Sequence, residues 1–369
     1  MKTKIIDLKD FSSLDESIIE EKIIESIKDI KNGEIVAFPT ETVYGLGGNA
    51  LNPEAIEKIF KIKKRPQDNP LIVHIGSINE IDNLIDESKT NHIRLEKAIK
   101  YWPGPISFIF PAKKEVLPDI TTGGLSTVAI RFPDHRIAQI LIKKAGLPIA
   151  APSANISGKP SCTKAEDVFT DFNGSIRYII DGGDSVYGIE STVVDLTSDP
   201  PAILRPGFIS KEDLINDFPD IRLINPSQKE IIPKSPGMKY THYKPDAKVI
   251  ILLKEIELEN FDKIFEFKSI FKNRILKTTD ILISNIMINK SILLTNNLDN
   301  DELFDKKNYI EKSHYINSYE FAKNLYSKFR EADKKKIKYL FVRPFVKANG
   351  IELAILNRLI KASEEIWIF

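Results

Sequence analysis

The chain has 369 residues and a mass of 41.9 kDa, which predicts two domains at roughly 150 residues each. Its 53 basic and 52 acidic residues leave a net charge of +1, which excludes a globally basic nucleic-acid coat and an acidic tail but leaves room for a local basic patch. A single cysteine excludes an intrachain disulfide and a cysteine-based zinc cluster, and the absence of any run of about 18 apolar residues or of a signal-peptide core points to a cytoplasmic chain with no membrane partner.

In chain order, isoleucines at 18, 19, 23, 24, 27 and 30 recur at helical spacing, and Gly33 supplies a stop. A strand is predicted over 34–38, followed by a turn-rich stretch over 39–47. Asn52 and Pro53 form a cap and first-turn pair for a helix through 61. Strands are predicted over 71–75, 107–111, 128–132, 177–180 and 192–196, with helices near 92–101, 135–145 and 164–171. This is a mixed α/β domain over 1–210. Residues 211–245 read as a linker punctuated by prolines, though Met238, Tyr240, His242 and Tyr243 give it more than a spacer's chemistry and suggest a lid. Strand–helix alternation over 246–369 predicts a smaller parallel α/β domain: strands near 248–253, 281–283, 292–295 and 339–342, and helices near 261–272, 319–332 and 351–363.

Two motifs are decoys. Gly45-Leu46-Gly47-Gly48-Asn49-Ala50 fits a loose dinucleotide fingerprint, but six residues separate it from the preceding strand. Gly158-Lys159 resembles the end of a Walker A loop, yet Ser153 stands where the first glycine is required. No histidine pair has metal-ligand spacing, so no protein-held metal is expected.

Five loop segments carry chemistry: P-T-E-T-V-Y-G-L-G from Pro39, K-K-R-P-Q-D-N-P from Lys63, S-T-V-A-I-R from Ser126, A-P-S-A-N-I-S-G-K-P-S from Ala151, and G-I-E-S-T from Gly188 with I-L-R-P-G from Ile203. Each sets small hydroxyls and glycines beside fixed positive charge, which phosphate binding requires. On pattern alone His74 reads first as a structural histidine and Arg131 as an outward strand residue. Glu41 and Glu190 invite a paired-carboxylate reading as acid and base, but phosphoryl and adenylyl transfer depends mainly on positioning and charge neutralisation, which argues against it.

Together the segments resemble the threonylcarbamoyl-AMP synthase family, in its long form with a YrdC-type catalytic domain and a smaller Rossmann-like C-terminal domain. The resemblance spans essentially the whole chain, including the linker motif S-P-G-M-K-Y-T-H-Y-K-P. Two positions depart from the family pattern: Thr241 replaces a basic residue and Gly48 an alanine. The resemblance implies a twisted mixed sheet and a nucleotidyltransferase that joins L-threonine, bicarbonate and ATP into threonylcarbamoyl-AMP, with Mg2+ held through the ATP phosphates. Downstream tRNA threonylcarbamoyl-transferase proteins would use the product, and weak RNA binding is an accompanying expectation. It implies Lys63 and Arg65 as catalytic residues, and Arg65, Asn69, Thr127, Ser153, Asn155, Ser161, Arg205 and His242 (or Tyr243) at ATP. Thr40, Thr42, His74, Arg131, the Ala151 backbone and Ser191 would meet L-threonine. The rival classes are an RNA-binding module and a carbamoyl or acyl transferase acting on another amino acid.

Overall fold

The computed structural model describes residues 2–224, 243–259, 271, 274–277, 291–295, 311–345 and 350–368. Contacts divide them into two compact units. The first holds the residues up to Ile224 apart from Gly158–Pro160, and the second holds Gly158–Pro160 and the residues from Tyr243 onward.

The first unit is built on a mixed sheet of eleven strands. In spatial order these are β1 (Lys4–Asp7), β8 (Tyr178–Asp181), β2 (Val36–Phe38), β3 (Gly45–Asn49), β7 (Ile149–Ala150), β4 (Ile72–His74), β6 (Thr127–Arg131), β5 (Ile106–Pro111), β9 (Thr192–Asp195), β10 (Ala202–Arg205) and β11 (Arg222–Leu223). Helix α1 (Glu16–Lys31) buries Ile19, Ile23, Ile27 and Ile30 in a cluster with Ile137, Ile140 and Leu141 of α5 (Arg136–Ala145). Each such isoleucine contributes roughly 1.5–3 kcal/mol of burial free energy. The opposite face packs a larger core that includes Trp102, Phe108, Phe110 and Phe172.

The mixed α/β architecture matches the sequence reading, with two differences of detail. The stretch over 39–47, expected as a turn, ends in strand β3. Its glycines hide the alternation because no side chain fits there: a β-carbon on Gly47 would stand 2.6 Å from the Phe38 ring and 2.7 Å from Ile149 Cγ2. The first unit's core also runs past residue 210. Leu214, Phe218 and Ile221 are buried in it, and β11 pairs in parallel with β10.

The second unit carries an all-parallel six-stranded sheet in the order β13 (Ile275–Lys277), β17 (Glu365–Ile368), β12 (Lys248–Leu253), β16 (Tyr339–Arg343), β14 (Ser291–Thr295), β15 (Glu311–His314). Two helices, Ser318–Lys334 and Gly350–Ala362, bury apolar faces in this unit. The helix expected near 261–272 and the apolar run at 281–283 fall largely outside the described residues, as does most of the linker.

Candidate active site

The site is assembled at one end of β4 and β6 and in the loops around it. Parallel pairing of these strands sets His74 opposite Arg131 at their C-terminal ends. Both side chains are buried, and the Phe38 ring meets His74 edge-on at 6.2 Å. Burial and the neighbouring Arg131 push the His74 pKa down to about 3, so its imidazole is neutral at physiological pH. Its Nδ1 lies 3.2 Å from the Ile72 carbonyl.

The loop after β2 delivers hydroxyls to Arg131, and counting donors fixes their direction. Thr40 Oγ1 donates to the Val43 carbonyl at 2.5 Å, which uses its single hydrogen. Thr42 must therefore donate across the 2.9 Å contact to Thr40, and Thr42 Oγ1 accepts from Arg131 NH1 at 2.8 Å. Thr40 also accepts from the backbone N–H groups of Thr42 and Val43. Thr40 is thus committed to its own loop, while Thr42 keeps one lone pair for a ligand. Arg131 NH2 donates to Glu41 at 2.6 Å in an ion pair whose side chains are 5% and 3% exposed. Its Nε reaches the Gly104 carbonyl at 3.4 Å.

A second cluster forms around Lys63. Helix α2 (Pro53–Lys63) starts where Asn52 accepts from the N–H groups of Glu54 and Ala55, with Pro53 in the first turn. It ends at Lys64 in a left-handed conformation, φ 53°, which throws Arg65 back so that its N–H bonds Phe60. Lys63 in the last turn is buried and donates to the carbonyls of Ser153 and Asn155. Ser153 Oγ donates to Asn155 Oδ1 at 2.6 Å. The Arg65 guanidinium holds the carbonyls of Asn69 and Pro70 at 3.1–3.3 Å.

Backbone hydrogen bonds and side chains tie all five sequence segments into one network. Gly45 bridges to Ser153, Leu46 N–H donates to Pro152, and Ala154 N–H donates to Tyr44. Ala151 N–H donates to Ile72 beside His74, and Tyr187 N–H donates to the Glu41 carbonyl. Ser161 donates to Glu190 at 2.6 Å. Ser191 pairs with Ser107 at 2.9 Å and is clasped by Arg205. The structure therefore brings together Thr40, Thr42, Lys63, Arg65, Asn69, His74, Arg131, Ala151, Ser153, Asn155, Ser161, Ser191 and Arg205.

One residue expected at the nucleotide stands apart. Thr127 begins β6, four residues from Arg131, and lines an open cavity of about 780 Å³ with Lys113, Lys114 and Thr197 that contains no other expected site residue. His242 lies outside the described residues. Its neighbour Tyr243 is buried in the second unit, its ring stacked on Tyr326 with centroids 5.4 Å apart.

A family profile described as Telomere recombination matches residues 28–207, and the profile for the threonylcarbamoyl-AMP synthase C-terminal domain matches residues 209–364. Threonylcarbamoyl-AMP synthase of Pyrococcus abyssi is 42% identical over 351 residues, covering 94% of this chain and 96% of that protein. The chain belongs to the threonylcarbamoyl-AMP synthase family. The Bacillus subtilis member is 38% identical over 373 residues, covering 98% of both chains. The crystal structure of Pyrococcus abyssi Sua5 complexed with L-threonine superposes with a TM-score of 0.82 at 38% identity, covering 100% of each chain.

The sequence reading missed Glu41 as the ion-pair partner of Arg131. Glu41 does not pair with Glu190, since the two are committed to Arg131 and Ser161 respectively. The available signal was a carboxylate set between two threonines in an otherwise uncharged segment. Among the described residues no group of three or more His, Cys, Asp or Glu side chains could hold a metal ion, and no helix is long and apolar enough to cross a membrane.

Proposed function

We propose that the chain joins L-threonine, bicarbonate and ATP into threonylcarbamoyl-AMP and releases pyrophosphate. The observation that carries this reading is the network itself: an arginine, a neutral histidine and a hydroxyl in one cluster, linked through the same unit to a buried lysine with a serine–asparagine loop. Arg131, Thr42, His74, Ala151 and Ser191 receive the amino acid, with Thr40 orienting Thr42. Lys63, Arg65, Asn69, Ser153, Asn155, Ser161 and Arg205 receive the nucleotide, joined by His242 of the linker, while Thr127, in its separate cavity, takes no part.

The neutral threonine amine attacks carbon dioxide and loses a proton to give a carbamate; from bicarbonate the same carbamate forms with loss of water. A carbamate oxygen then attacks the α-phosphorus, and the bond to pyrophosphate breaks. Holding three reactants in register supplies about 7–11 kcal/mol of the barrier reduction, and Lys63, Arg65 and Arg205 neutralise charge on the phosphates. Mg2+ would be held through the ATP phosphates and water, where it would offset phosphate charge, and no carboxylate cluster among the described residues would ligate it. The same reading includes an α/β domain over 246–369, a lid that begins after residue 224 rather than at 211, because Leu214, Phe218 and Ile221 are buried in the first unit's core, and a cytoplasmic enzyme serving tRNA threonylcarbamoyl-transferase proteins.

Mass spectrometry of a reaction with 13C-bicarbonate tests the proposal. The expected product is threonylcarbamoyl-AMP carrying one labelled carbon, formed only when L-threonine and ATP are both present. AMP without a labelled carbamoyl adduct overturns it.

A further inference from the structure

Among the residues placed at L-threonine, Arg131 is the cation that can meet the substrate carboxylate, and the substrate ammonium has no charged partner. Glu41 stands where that partner is needed. Its Oε1 accepts from Arg131, while its Oε2 is buried with no hydrogen-bond partner. A carboxylate oxygen withdrawn from water and left unsatisfied is costly, so a ligand donor there repays its burial.

Arg131 is in the complementary state. Of its five N–H donors, one on Nε meets Gly104, one on NH1 meets Thr42 and one on NH2 meets Glu41, which leaves one on each terminal nitrogen. The pair sums to zero charge. A lone anion or cation gains little from it, whereas a zwitterion laid antiparallel along it meets opposite charge at both ends.

Of the other groups facing Glu41, His135 and Tyr187 leave this balance unchanged. His135, at the start of α5, is kept neutral by burial, its pKa pushed down to about 4. Tyr187 is an uncharged phenol whose pKa burial raises further. Asp134 adds negative charge on the Glu41 side.

We propose that Glu41 is a specificity-determining residue, and that the Arg131–Glu41 pair is a template for an α-amino acid zwitterion that rejects an α-hydroxy acid of the same shape. This rests on the threonine reading of the site and names the group that reads the ammonium.

Glu41→Gln keeps the shape and an acceptor for Arg131 but removes the charge. Calorimetric titration of the full-length wild-type and Glu41→Gln proteins with L-threonine and with (2S,3R)-2,3-dihydroxybutanoate, its hydroxy-acid analogue, reads the preference directly. The wild type should prefer L-threonine by roughly tenfold or more, and the Gln variant should lose roughly tenfold of threonine affinity while holding the hydroxy acid as well as before or better. Glu41→Asp, which keeps the charge, should retain the preference with both affinities lowered, and it carries the test if the Gln variant does not fold. Equal loss of both ligands in Glu41→Gln, no loss of either, or a preference erased in Glu41→Asp overturns the proposal. A wild-type protein that binds neither ligand overturns the threonine reading and the proposal with it.

Discussion

Arg205 donates to Ser191 twice, from Nε to the carbonyl and from NH2 to Oγ, each at 3.0 Å. The clasp depends on Gly207, two residues on. A β-carbon there would stand 2.3 Å from the Thr192 nitrogen and 2.7 Å from the Ser191 carbonyl carbon, and both are backbone atoms that cannot swing aside. Gly207→Ala should therefore push β9 and β10 apart at the site and cost about 1–3 kcal/mol of stability. Calorimetry should show ATP binding roughly tenfold weaker or worse. Unchanged ATP affinity would remove Arg205 from the nucleotide's contacts.

The Arg131–Glu41 pair separates stability from binding. Arg131→Met leaves Glu41 charged, buried and unpaired, at a cost of about 3–5 kcal/mol, which should lower the melting temperature by roughly 10 °C. Adding Glu41→Gln should restore most of that loss without restoring L-threonine binding. Both variants should bind ATP as the wild type does, and Arg65→Ala should show the opposite selectivity. Loss of the same ligand to the same degree in the Arg131 and Arg65 variants would refute the assignment.

Acid should destabilise the protein through its buried histidines. Free histidine titrates near 6.5, whereas His74 and His135 stay neutral down to about 3 and about 4. Between those values the unfolded chain binds protons that the folded chain does not, so stability falls as pH drops below 6.5. Each histidine contributes a slope of about 1.4 kcal/mol per pH unit in that window. Chemical denaturation between pH 7 and pH 4.5 should show this loss, and His135→Leu should flatten it. An identical slope in that variant would mean that His135 is protonated in the folded state.

Trimming the chain tests where the first unit ends. A fragment of residues 1–224 should melt cooperatively, because it keeps Leu214, Phe218, Ile221 and the β10–β11 pairing. A fragment of residues 1–210 loses three buried side chains and should melt at least several degrees lower by circular dichroism. Equal melting temperatures would show that the tail adds nothing to the core.

The sequence is most readable where side chains report on burial. Ile19, Ile23, Ile27 and Ile30 mark the inner face of α1 by spacing alone, and Asn52-Pro53 marks the start of α2 by capping chemistry. Strand β3 is hidden because glycine has no side chain to alternate, and its pairing is visible only once Phe38 and Ile149 are in place. Strands β1 and β17 are short, and their partners lie far away in sequence, Lys4 opposite Tyr178 and Ile366 opposite Ile275 and Ile251. The motif segments mark the site's residue types, but partner choice depends on three-dimensional neighbours. Glu41 reads equally well as an acid, a base or a counter-ion until Arg131 is found 2.6 Å from it.

Pyrophosphate release measured with each of the twenty amino acids, in the presence and absence of bicarbonate and ATP, tests the central claim most directly. Release should require ATP, bicarbonate and L-threonine together, with L-serine much poorer, since a methyl pocket supplies about 1–3 kcal/mol of discrimination. Equal turnover with every amino acid, or none with L-threonine, would contradict it.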